Sequence, residues 1–125
     1  MILKSGEEKR KEDKVIIQEF KWEGHSEESL QGEGNIFLTT QRLALEKEAE
    51  GKTVTVFEFP LKAVDVVRVK GFIGKVLLLE VVLKEISSAI KGIDFSGKKG
   101  FASLKIKVDD SKAYADEISF RSRKT

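Results

Sequence analysis

The only histidine of this 125-residue chain, His25, is followed closely by Glu27 and Glu28. An imidazole that recruited either carboxylate could hold a divalent cation. The surrounding run, Glu23 to Glu33, is a polar loop, so His25 is read as a solvated loop residue and no metal is expected. Gly92, Gly97 and Lys98 nearly spell a phosphate-cradling loop. That motif needs Ser or Thr after the lysine to hold magnesium, and then a helix. Here Lys99 stands in that place, and Gly100 and a strand-like run follow, so the motif is rejected. No nucleophile elbow and no His-Glu-x-x-His helix occurs. Cysteine is absent, which excludes disulfides, thiol catalysis and thiolate metal sites. Carboxylates are plentiful, but no spacing forces two of them into one pocket. The residues permit only a carboxylate-based hydrolase, and the chain is read as no enzyme. No cofactor and no small-molecule substrate is implied.

Two segments carry a different chemistry. Lys70-Gly71-Phe72-Ile73-Gly74-Lys75 and Lys98-Lys99-Gly100-Phe101 each place an aromatic beside glycine and lysine in a turn. An exposed apolar tip ringed by lysines can enter an anionic membrane surface. It can also anchor a protein partner. The bland reading is that Phe72 and Phe101 fold back to cap the core. The candidate binding residues are therefore Lys70, Phe72, Ile73, Lys75, Lys98, Lys99 and Phe101.

Charge narrows the partners. The formal net charge is +2, too small a field to gather nucleic acid. The charge is nearly all Lys and Glu, with a single Asn, which matches thermophile composition. The start, Met1-Ile2-Leu3-Lys4, has no apolar run like that of a secretory signal. The longest apolar run, Val76 to Leu83, is broken by Glu80 and is too short for a membrane span. A cytoplasmic location is expected, peripheral to a membrane if the lysine loops bind lipid.

Residues 4–14 have no apolar period, and residues 1–14 are read as a charged mobile arm or a frayed turn of helix. The domain is assigned to 15–125. Period-2 alternation and β-branched residues then mark strands at Val15–Trp22, Asn35–Thr39, Arg42–Lys47, Thr53–Phe59, Val64–Lys70, Val76–Leu83 and Ala102–Val108. Glu50-Gly51-Lys52 reads as a hairpin tip and Pro60 as a strand end. Asp109, Asp110 and Ser111 are good helix N-caps. Tyr114, Ala115 and Ile118 then give one face of a short amphipathic helix ending near Phe120. In the ambiguous stretch 84–100, Ser87 to Ile90 could form a helical turn. Seven short strands and a terminal helix argue for a sandwich or a small barrel, and a helix at one end can plug an open barrel mouth.

Three segments resemble a known family. Gly34-Asn35-Ile36-Phe37-Leu38-Thr39-Thr40-Gln41-Arg42-Leu43-Ala44-Leu45 resembles the hairpin of GRAM and bacterial pleckstrin-homology-like domains. Phe59 to Val67 and the ending from Ser103 to Phe120 are similar to their following parts. The resemblance implies a seven-stranded barrel of two roughly orthogonal antiparallel sheets with one C-terminal α-helix. It implies a non-catalytic interaction module that binds a protein or itself, with anionic lipid headgroups as the alternative ligand. In lipid-binding relatives the first inter-strand loop is basic, whereas here it is acidic, which disfavours that ligand at that place. Thr39 and Arg42 are read as structural turn residues, the arginine satisfying turn carbonyls through its fork of donors.

Overall fold

The computed structural model describes residues 2–71, 75–90 and 92–122. Within them run β1 (Lys9–Trp22), β2 (His25–Ser26), β3 (Gly32–Thr39), β4 (Arg42–Ala49) and β5 (Lys52–Pro60). Next come β6 (Val64–Lys70), β7 (Val76–Val82), β8 (Ser87–Ser88), β9 (Phe101–Lys107) and helix α1 (Ser111–Ser122). Every strand pairing is antiparallel.

Local chemistry explains most of these elements. Thr53 to Phe57 is a run of β-branched and aromatic residues, which suits a pleated surface. The β4–β5 hairpin turns on Glu50 and Gly51, both at positive φ (52° and 75°). That is the primed two-residue turn whose twist matches its strands. In β9, Ala102, Leu104 and Ile106 are buried while Ser103 and Lys107 are exposed. On α1 the buried positions are Ser111, Tyr114, Ala115 and Ile118, one stripe at helical spacing.

Two expectations are corrected. Among the described residues the strands number nine, not seven, and they form one sheet that does not close into a barrel. Its order is β6-β7-β9-β1-β3-β4-β5-β8, with β2 attached to β1. The two extra strands, β2 and β8, are two residues each, too short for any period to show. Strand β1 is the joint. Its first half pairs with β3 and its second half with β9, and register shifts at Lys9/Lys11 and Ile17/Glu19 bend it. Helix α1 packs on β6, β7 and the turn Leu61–Ala63.

The second correction concerns the arm. Residues 9–14 are not a mobile arm; they are the first half of β1, laddered to β3 from Thr39 to Asn35. The strand has no apolar period there because its neighbour is the polar flank of α1. Arg10 Nε donates to Glu117 at 2.6 Å, and Lys11 Nζ to Asp110 at 2.8 Å. Tyr114 Oη donates to Asp13 at 2.6 Å. Burial and this carboxylate both push the Tyr114 phenol far above its usual range. Tyr114 is the only tyrosine in the chain, so its titration is directly readable. Absorbance at alkaline pH should show no tyrosinate near pH 10, where a free phenol is half ionised, until the fold itself opens. A midpoint near 10 in folded protein would refute the strand–helix tie.

The core gathers four rings. Phe20 meets Phe57 edge-on at 5.4 Å and stacks on Phe95 at 5.8 Å, and Phe57 stacks on Phe59 at 6.1 Å. Phe95 comes from the stretch between β8 and β9; Ser87 and Ser88, as β8, pair with β5 instead of forming a helical turn. Gly34 lets β3 and β4 approach. A Cβ built there would lie 2.9 Å from the Glu46 carbonyl oxygen and 2.9 Å from Leu45 Cδ1. Gly34→Ala should cost about 1–3 kcal/mol, because backbone as well as side chain must shift. Urea denaturation checks it, and a loss below about 0.5 kcal/mol would mean that the strands relax freely.

Candidate functional site

Three places have the residues to act on something else. The first is built on the β3–β4 turn. The Thr39 hydroxyl accepts from the amides of Gln41 (3.1 Å) and Arg42 (3.0 Å) and donates to Glu7 at 2.5 Å. One hydroxyl thus ties two successive amides of the turn. Arg42 does something the sequence did not announce. Its Nε and Nη2 reach the two Glu7 oxygens at 2.9 and 3.2 Å, and Nη1 donates to Glu58 at 2.8 Å. Nη2 also donates to the Ile2 carbonyl at 2.6 Å. The guanidinium therefore straps residues 2–7 to the hairpin instead of satisfying turn carbonyls. The Glu7 side chain is fully buried. Burial pushes its carboxyl up, but hydrogen bonds from Arg42, Thr39 and the Lys4 amide outweigh this and hold it at about 2. A groove of about 510 Å³ opens beside Arg42, walled by Glu58, Lys62, Glu85 and Arg121.

The second place is a wider cleft of about 590 Å³ where β1 changes partners. Ile16, 38% exposed, lies on its floor between Lys107 of β9 and Glu33 of β3. Lys47 borders it, with Nζ on the Gln31 carbonyl; burial lowers the Lys47 ammonium below its ordinary range.

The third place is the end of the sheet at Trp22. Its indole donates to Glu27 at 3.2 Å and meets His25 and Phe95 edge-on at 4.6 and 5.3 Å. Lys98 Nζ stands 5.6 Å from the ring centroid. His25 is half-exposed, 3.8 Å from Glu27. Among the described residues no three His, Cys, Asp or Glu side chains form a metal-holding group.

The lysine-flanked loops are not brought together. Phe72 and Ile73 lie outside the described residues. Lys70 ends β6 opposite Val76, and Lys75 reaches Asp109 at 3.5 Å. Phe101 begins β9 opposite Val82, and Lys98 and Lys99 precede it. Along the β7–β9 ladder Val76 pairs with Lys107 and Val82 with Phe101, so the loops sit at opposite ends. At strand rise that is roughly 20 Å, too far for one shared tip. Phe101 is 49% exposed and does not fold back as a cap.

The sheet also has an outer edge that no local pattern marks. Strand β6 ends the sheet, with β7 as its one strand neighbour among the described residues. Asp65 and residues 68–70 are exposed, and Val66 and Val67 are half-buried. The run Val-Asp-Val-Val-Arg-Val-Lys signals a strand, but nothing local says which strand will lie outermost.

No family model matches the chain, and no curated protein matches it. Among solved structures it is similar to the Vps36 N-terminal PH domain, with 19% identity and a TM-score of 0.55. The match covers 95% of this chain and 84% of that one. Such identity speaks to architecture alone. The antiparallel sheet bent at β1, with a single helix after the last long strand, is a pleckstrin-homology-like fold.

Proposed function

We propose that the chain is a non-catalytic interaction module that binds protein by strand addition along β6. The observation that carries this is a seven-residue, valine-rich strand with no strand on its outer side among the described residues. Such an edge offers a row of backbone donors and acceptors, and an extended segment adds to it as one more strand. Kinship with GRAM-type domains, on the Gly34–Leu45 hairpin, is part of the same proposal. Pull-down from the native lysate, followed by hydrogen exchange on the complex, tests it. Exchange should slow at Val64–Lys70 and stay unchanged across β3 and β4. Protection confined to the Arg42 groove or the Trp22 end would remove the edge from the reading.

A second reading rests on Phe101. This half-exposed ring beside Lys98 and Lys99 supports contact with an anionic membrane at one end of the sheet. Flotation with vesicles containing phosphatidylserine should then be salt-sensitive and reduced by Phe101→Ser. No flotation at low salt would end this reading.

A further inference from the structure

We propose that the segment added to β6 is β6 of a second copy, antiparallel, about a two-fold axis normal to the sheet. This deepens the edge reading above and rests on it. A two-fold interface must be complementary to itself, so the strand is its own test. Strand β6 is polarised in charge. Asp65 lies near its start, and Arg68 and Lys70 lie at its end; all three are exposed. Antiparallel pairing brings Asp65 of each copy towards the basic end of the other. Parallel pairing would set like charges side by side, which destabilises a sheet. Between the charges lie Val66, Val67 and Val69, β-branched residues that favour a pleated neighbour.

The register shift between Val64 and Val66 sharpens the match. It leaves Asp65 without a partner on β7, as the extra residue of a bulge. No ion pair within the chain engages Asp65, Arg68 or Lys70 among the described residues. In the register that sets Val67 against itself, Val66 faces Arg68 of the second copy on the outer surface. Lys70 of that copy then lies near Asp65. Helix α1 packs on β6, but no strand is laddered to its outer side among the described residues.

The test is sedimentation velocity of the full chain from about 1 μM to about 1 mM. The mass should rise with concentration towards two chains. Asp65→Lys and Lys70→Glu should each weaken dimerisation roughly ten-fold, since each change recurs twice across the interface. The double variant should recover wild-type association, because the polarity is reversed but still complementary. Failure of the double variant to recover would overturn the antiparallel arrangement. If the chain stays monomeric throughout, a synthetic peptide of residues 63–71 separates the two readings. Binding of that peptide at β6 keeps the edge and refutes the second copy, whereas no binding refutes self-pairing of β6 and leaves the edge to the pull-down.

Discussion

Arg42→Ala should lower the unfolding free energy by about 3–5 kcal/mol at neutral pH. The change removes both the fork of donors on Glu7 and the bond to Glu58. It leaves the fully buried Glu7 carboxylate with only Thr39 and the Lys4 amide. An ionised carboxylate so placed has lost its main compensation for desolvation. The effect carries a pH signature. In the folded protein Glu7 titrates at about 2, against an ordinary value of 4.5. A depressed carboxyl contributes stability that is complete above its unfolded value and lost as pH falls through its folded one. The contribution, about 3 kcal/mol, is therefore present at pH 7 and disappears between about 4.5 and about 2. Urea denaturation of wild type and variant at pH 7 and pH 3 reads this directly. The gap should shrink by about half or more at pH 3. A gap of equal size at both values would show that Arg42 acts through packing of its stem and not through Glu7.

Phe95→Ala should cost about 3–5 kcal/mol, the usual loss for a buried ring. Phe95 is 1% exposed, stacks on Phe20 and meets Trp22 edge-on. It is the fully buried residue of the stretch from Gly92 to Gly100; Ile93 beside it is only partly so. Its carbonyl also accepts from the Lys98 amide at 3.0 Å, which holds Lys98 near the indole. Removal should loosen that whole stretch and uncover one edge of Trp22. Trp22 is the only tryptophan, so its emission should move to the red while far-ultraviolet dichroism stays native. Faster exchange should be confined to residues near 92–100. A cost under about 1 kcal/mol with unchanged emission would mean that the loop holds its place without the ring.

These two sites differ in how far they could be read from sequence. The turn Thr39-Thr40-Gln41 and the strands on either side were legible because alternation and turn chemistry act between near neighbours. The role of Arg42 was not, since its main partner Glu7 lies 35 residues away within a run of charges that shows no period. The signal was the run itself. It is interrupted by Gly6, which takes positive φ (75°) just before the buried carboxylate. Phe95 was hidden for another reason. It stands among Asp94, Ser96 and Gly97, residues of a loop, and one aromatic cannot establish a period. An isolated ring in a polar loop was the available hint.

The β1 strand shows the same division. Its second half alternates because one face meets the core, with Val15, Ile17 and Phe20 buried. Its first half carries charge on both faces because one of them meets Asp110, Tyr114 and Glu117 across the chain. Burial pattern follows what an element packs against, and a polar neighbour erases the pattern without removing the strand.

Spacing and residue type alone therefore define the long strands, the Glu50–Gly51 turn and the stripe of α1, since sterics and side-chain alternation act over a few residues. They also exclude thiol chemistry outright. Which strand lies at the edge, which end of the sheet each lysine loop occupies, and which carboxylate Arg42 holds were decided by tertiary pairing. That pairing depends on register shifts in β1 and β6 and on contacts tens of residues apart, which leave no trace in local periodicity.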